Sequence, residues 1–128
     1  MPATSSYDYA ILRVVPLVER GECINIGVIL FCRTQCFLDI LIHFDEQRLR
    51  ALAPALDFSF VRQQIDALVQ VCHGGGGSGP IGQLSQAERF HWLVSPRSTV
   101  IQTSPVHCGM CSDPASTLQK LLETLVLL

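Results

Sequence analysis

The first third of the chain alternates short apolar runs with turn residues, a pattern typical of β-strands. Residues 7–15 (YDYAILRVV) are rich in aromatic and β-branched side chains and stop at Pro16. After a polar turn at residues 19–22, residues 23–33 (CINIGVILFCR) are apolar on both faces, which predicts a central strand covered on both sides. A third strand is predicted over residues 37–44, so the pattern indicates an antiparallel meander.

One glycine and two polar residues inside the two long runs carry structural expectations. Gly27 marks a bulge or a close approach of another backbone. Arg13 and Asn25 are polar, and we expect each to have a partner on a neighbouring strand or at the sheet edge, because an unpaired buried polar group costs about 2 kcal/mol or more. The alternative for Arg13 is that it reaches the positively charged residues between Arg89 and His107 from the face of the sheet.

Helix-capping residues followed by helical periodicity appear after the third strand. Asp45 predicts a short helix through Leu52 that ends at Pro54. A second helix is predicted over residues 59–72, because its apolar residues recur at helical spacing. Those residues are Val61, Ile65, Leu68, Val69 and Cys72.

Two more capping signals follow in the second half of the chain. Residues 85–88 (SQAE) form a capping box, which predicts a short helical segment before Trp92. Asp113 followed by Pro114 predicts the start of a last helix. The buried stripe of that helix is predicted to comprise Leu118, Leu121, Leu122 and Leu125.

The remaining segments complete the predicted fold. Residues 74–80 (GGGGSGP) are predicted to be a flexible loop and not a nucleotide cradle, since they follow a helix and lack a Gly-Lys-Ser/Thr ending. A fourth strand is predicted over residues 99–103. The whole pattern indicates one α+β domain over residues 1–128, with an antiparallel sheet of about four strands and helices packed mainly on one face.

Composition adds a question about the surface. Charged residues make up 16% of the chain, the net charge is −2 and the mean hydropathy is +0.35. This shortage of charge fits either a well-buried sheet or a second apolar surface that a partner covers. No apolar run reaches the length of a membrane span and no secretory signal is visible, so we expect a cytoplasmic protein with six reduced cysteines. Nucleic acid is not excluded as a partner, although the net charge gives no general footprint for it.

Three stretches of the sequence carry a family resemblance. They are residues 7–32 (YDYAILRVVPLVERGECINIGVILFC), residues 48–54 (RLRALAP) and residues 88–114 (ERFHWLVSPRSTVIQTSPVHCGMCSDP). Together they resemble the bacterial family of unknown function DUF3037. The resemblance transfers no catalytic residue, because that family has no established activity. It implies that the gene often stands beside one for a HipA-like kinase, which suggests a partnership.

One stretch of the sequence has the composition of a binding site. Residues 89–112 contain two arginines and two histidines but no Asp or Glu, and we call residues 89–107 the positive segment. Its hydrogen-bonding groups predict recognition of a phosphate or carboxylate. The alternative is structural, with the arginines paired to acids such as Asp39 or Glu88 or holding loop carbonyls. The candidate anion-binding residues are Arg89, Arg97, Ser98, Thr99, Gln102 and His107.

Two further chemistries are weighed in the same region. His91 and His107 are weak candidates for a general acid–base pair, which requires that both rings converge on one reacting group. Cys108 and Cys111, next to His107, have the spacing of half a zinc site. The other half is missing from the sequence, so we expect no bound metal and no cofactor.

The end of the last helix is the predicted partner-binding surface. Val126, Leu127 and Leu128 widen its apolar stripe beyond what one core contact needs, which predicts a homodimer or a complex with another protein. The function expected first is therefore a non-catalytic binding module, with the HipA-like kinase as a candidate partner. The alternative is a small enzyme or sensor that acts on a phosphate-bearing ligand or nucleic acid through the positive segment.

Overall fold

The computed structural model describes residues 3–96 and 99–127, which form an antiparallel sheet with helices on both of its faces. Strands β1, β2 and β3 pair in sequence order, so the predicted meander is confirmed. Two short strands pair with the other side of β1, and one of them was not predicted. The strands are β1 (Ser5–Val14), β2 (Ile24–Cys32), β3 (Phe37–Ile42), β4 (Ile101–Thr103) and β5 (His107–Cys111).

The pairing of β1 with β2 contains the bulge that Gly27 predicted. Leu12 lies opposite Gly27 while Arg13 lies opposite Asn25, so Ile26 is the extra residue of β2. A Cβ atom on Gly27 would lie 2.6 Å from the backbone oxygen of the neighbouring strand. Both predicted reasons for this glycine, a bulge and a close backbone approach, are therefore confirmed.

Strands β4 and β5 act as one broken strand along β1, β4 pairing with its last residues and β5 with its first. The break contains Pro105, which has no backbone N–H to donate. Ser104 bridges the break: its buried side-chain oxygen accepts from the Ile11 backbone N–H at 2.8 Å, and its own N–H donates to the Ile11 carbonyl at 2.8 Å. The edge of the sheet thus continues from Gln102 to His107 without leaving Ile11 unpaired.

Four helices cover one face of the sheet and one helix covers part of the other, which confirms that the helices pack mainly on one face. The larger core joins Leu12 and Ile29 of the sheet to Ile65 and Phe90 of the helix layer. The smaller core joins β2 to the last helix. The helices are α1 (Glu46–Leu52), α2 (Phe58–His73), α3 (Gly79–Gly82), α4 (Gln86–Leu93) and α5 (Pro114–Leu125).

The predicted helix caps hold, with small differences at the helix ends. The side chains of Asp45, Ser85 and Asp113 accept from backbone N–H groups at the starts of α1, α4 and α5, and Ser85 completes a capping box. Helix α2 begins at Phe58, one residue earlier than predicted, because Asp57 caps it. The predicted loop over residues 74–80 is partly wrong, since its last two residues start the single turn of α3.

None of the helices in the described part of the chain is long and apolar enough to cross a membrane.

Candidate functional site

The sheet separates the two ends of the positive segment. Arg89 and His91 belong to α4 in the helix layer, where His91 is exposed beside Phe90. The ring of His107 contacts Tyr9 on the opposite face of the sheet, with 5.3 Å between ring centroids. The structure therefore does not bring His107 together with Arg89 or His91, and the two histidines do not converge as an acid–base pair.

The Arg89 side chain contacts other residues of the same chain. Its Nη1 atom donates to the Leu84 carbonyl at 2.7 Å, while its Nε atom is shielded from solvent and has no acceptor among the described residues. A Cβ atom added to Gly74 would lie 3.0 Å from the guanidinium carbon, so the arginine packs against the start of the glycine-rich loop. These contacts agree with the structural alternative, in which this arginine holds loop carbonyls in place.

The middle of the positive segment makes local hydrogen bonds. The Thr99 hydroxyl donates to the Ile101 carbonyl at 2.7 Å, and the Gln102 side-chain amide donates to the Thr99 carbonyl at 3.0 Å. Both residues shape the turn that leads into β4. Arg97 and Ser98, the other predicted anion-binding residues, lie outside the described residues.

The Cys-x-x-Cys stretch is a strand, which separates its two thiols. Side chains three positions apart in a strand point to opposite faces, so Cys111 is buried while Cys108 is exposed near Asp8. A hydrogen bond to the Asp8 carboxylate, together with its charge, raises the pKa of Cys108, and burial raises the pKa of Cys111. Neither thiol is activated as a thiolate. Within residues 3–96 and 99–127, no three His, Cys, Asp or Glu side chains are grouped to hold a metal.

The predicted partner patch at the end of α5 is smaller than the sequence indicated. Val126 is only 2% exposed, because it packs with Val28 and Leu30 in the smaller core. Leu127 is 46% exposed, and Leu128 lies outside the described residues. Val126 is therefore a core residue rather than part of an exposed patch, and within the described residues only Leu127 remains of the predicted surface.

An apolar groove, which the sequence did not reveal, lies between two connections of the chain. One wall is the segment after β1, where Pro16 ends the strand and Gly21, with a φ of 73°, closes a short 3-10 turn. The other wall is the turn that joins α1 to α2. The groove, which we call the α1–α2 groove, has a volume of about 480 Å³. Its lining residues are Pro16, Leu17, Arg20, Glu22 and residues 52–57.

Few polar groups line the α1–α2 groove, and most of them are already engaged. Arg20 pairs with Glu22, and the Asp57 side chain accepts from the Phe60 backbone N–H at 3.0 Å as the cap of α2. The lining residues carry no hydroxyl, thiol, imidazole or amine side chain. The groove therefore presents mainly apolar surface, with Arg20, Glu22 and Asp57 as its charged lining residues.

Two signals in the sequence bear on this groove. Leu17 and Val18 are adjacent apolar residues in a turn, and they are 52% and 47% exposed. The second wall continues the stretch RLRALAP with further small and apolar residues. The sequence identified residues 19–22 only as a polar turn, because it could not show that residues 52–57 lie against them.

Comparison with known proteins gives one match. A family model described as "Protein of unknown function (DUF3037)" matches residues 9–126. No curated protein and no solved structure matches the chain. The family match covers both walls of the α1–α2 groove and all of β4, β5 and α5, but it brings no activity with it.

Proposed function

The chain belongs to the DUF3037 family, whose function is unknown, and from this premise we propose that it is a non-catalytic binding module whose α1–α2 groove takes an apolar side chain of a protein partner. The observation that carries the proposal is the lining of the groove. It combines exposed apolar side chains with the lack of hydroxyl, thiol, imidazole and amine side chains among the lining residues. The shortage of charged residues in the whole chain supports the same conclusion.

The size and charge of the groove define the partner segment. A volume of about 480 Å³ lies within the range of small-ligand pockets, so one or two large apolar side chains fit. Two of the three charged lining residues are acidic, Glu22 and Asp57. We therefore expect a segment with a leucine, isoleucine or phenylalanine and a neighbouring lysine or arginine. Full burial of such an apolar side chain contributes about 1.5–3 kcal/mol.

The partner to test first is the HipA-like kinase that the family resemblance suggests as a gene neighbour. The shared gene position is an association, whereas the groove supplies a physical reason for contact. We place the pair in the cytoplasm, in keeping with six free thiols and the absence of a membrane-spanning helix among the described residues. A second copy of the chain is the competing occupant of the groove.

The test compares aspartate substitutions at two neighbouring apolar residues, Leu17 and Val18. Leu17→Asp places a carboxylate in the groove, whereas Val18→Asp adds the same charge at a similarly exposed residue that does not line the groove. Titration calorimetry with the kinase should show binding at least about tenfold weaker for Leu17→Asp, equivalent to about 1.4 kcal/mol, and within about twofold of wild type for Val18→Asp. Equal effects of the two changes, or no binding by the wild type, would contradict the proposal.

Sedimentation of the isolated protein identifies the competing occupant. We expect a monomer at tens of micromolar for the wild type and for both variants. A dimer that Leu17→Asp dissociates and Val18→Asp preserves would assign the groove to a second copy of the chain instead of the kinase.

A further inference from the structure

Helix α5 covers only half of its side of the sheet. It packs on β2 and β3, and the β2 side chains beneath it are fully buried, as with Val28 and Leu30. From Tyr7 to Arg13, the β1 side chains on this side are only half-buried, and of their neighbours on β4 and β5, Gln102 is half-buried and His107 is exposed. We call this surface the β1 face. It consists of Tyr7, Tyr9, Ile11, Arg13, Gln102 and His107.

One nitrogen of Arg13 on the β1 face lacks a hydrogen-bond partner. Its Nε atom is shielded from solvent and has no acceptor within the described part of the chain, contrary to the expectation of a neighbouring-strand partner. Its cross-strand neighbours are Asn25 and Gln102, whose amides donate instead to the carbonyls of Leu125 and Thr99. A shielded donor without an acceptor is costly. Because the Arg13 side chain as a whole is only half-buried, a partner can still approach its guanidinium, and a carboxylate is the acceptor that matches this forked group best.

The dimensions of the β1 face match one helix. Strands lie about 4.8 Å apart, so β1 with the broken strand β4–β5 is about 10 Å wide, close to the diameter of an α-helix. From Tyr7 to Arg13 the strand extends about 20 Å at about 3.3 Å per residue, the length of about 13 helical residues. A helix beside α5 would complete this layer of the fold.

We propose that the β1 face binds an amphipathic helix from another protein, with the apolar stripe of the helix against Tyr9 and Ile11 and an Asp or Glu side chain against Arg13. Tyrosine and arginine are the residue types that dominate the centres of protein interfaces. The helices α2 and α5 of this chain already bury their own apolar stripes, so a second copy has neither to offer.

The charge of the β1 face argues against single-stranded nucleic acid. Arg13 is its one permanently charged residue, whereas binding to a phosphate backbone needs several cations. The β1 face and the α1–α2 groove lie in different parts of the fold. The β1 face is on the side of the sheet that α5 covers, whereas one wall of the groove is the turn between α1 and α2, which pack on the other side. The two surfaces therefore bind independently, and this inference does not depend on the proposed function.

The test selects helical peptides of about 14 residues from a displayed library with randomised surface positions, using the wild-type protein as bait. The enriched peptides should carry an apolar stripe and one Asp or Glu. Their binding should weaken at least tenfold with Arg13→Glu and stay within about twofold with Arg48→Glu, an exposed arginine of α1 on the other layer. Leu17→Asp should leave peptide binding unchanged, which separates this surface from the groove.

One additional measurement keeps the result clear if Arg13→Glu does not fold, and a second applies when it folds. Changing the acidic residue of an enriched peptide to its amide should weaken binding to the unaltered protein by about the same factor. Changing it to lysine should restore binding to Arg13→Glu when that variant folds, as judged by circular dichroism. Three outcomes would overturn the proposal. They are no enrichment of any peptide, enrichment of basic peptides, and peptide binding that changes neither with the amide substitution nor with Arg13→Glu.

Discussion

Ser104 offers a direct test of how the broken edge strand is held. Replacing it with alanine removes the oxygen that accepts from the Ile11 backbone N–H at 2.8 Å. Leaving a buried donor unpaired costs about 1–3 kcal/mol. For a chain of this length, each kcal/mol corresponds to roughly 3–5 °C in Tm. We therefore expect Ser104→Ala to lower the free energy of unfolding by about 2 kcal/mol and Tm by roughly 6–10 °C.

Two measurements check this prediction. Urea unfolding followed by circular dichroism gives the free energy, and hydrogen exchange of the Ile11 amide reports the bond itself. Ser6→Ala, at an exposed serine of β1, is the control and should stay within about 0.5 kcal/mol of wild type. A loss below about 0.5 kcal/mol for Ser104→Ala, with the Ile11 amide as protected as in the wild type, would refute the reasoning.

Three more predictions follow from single contacts. Gly27→Ala should destabilise the fold by about 2 kcal/mol or more in urea unfolding, because the added Cβ would lie 2.6 Å from a backbone oxygen; a loss under 1 kcal/mol would contradict this. Ser85→Ala breaks the capping box of α4 and should cost about 1 kcal/mol, whereas an unchanged midpoint would count against the cap. Asp8→Asn should lower the raised pKa of Cys108 and so speed its alkylation at pH 8, measured by mass spectrometry; an equal rate would show that the carboxylate does not act on this thiol.

Local patterns account for the parts of the fold that could be predicted. The capping residues Asp45, Ser85 and Asp113 satisfy the backbone groups of their own helices, so each signal is complete within a few residues. The meander was visible because β1 and β2 are rich in strand-forming residues and the polar residues 19–22 lie between them.

Long-range contacts account for the parts that could not. Strand β5 (His107–Cys111) has no β-branched residue, and it is a strand because β1 offers an unpaired edge. Whether Arg89 and His107 share a face depends on the path of the chain around the sheet, which their separation in sequence does not contain. The α1–α2 groove depends in the same way on residues 16–22 meeting residues 52–57.

The central claim is that the α1–α2 groove receives a protein partner, and hydrogen–deuterium exchange on the complex with the HipA-like kinase tests it most directly. Peptides that cover residues 16–22 and 52–57 should exchange more slowly when the kinase is bound, because both walls of the groove lose contact with water. Peptides from the exposed part of α2 serve as the internal reference and should not change. A stable complex whose protection lies elsewhere, with both walls exchanging as in the free protein, would contradict the account.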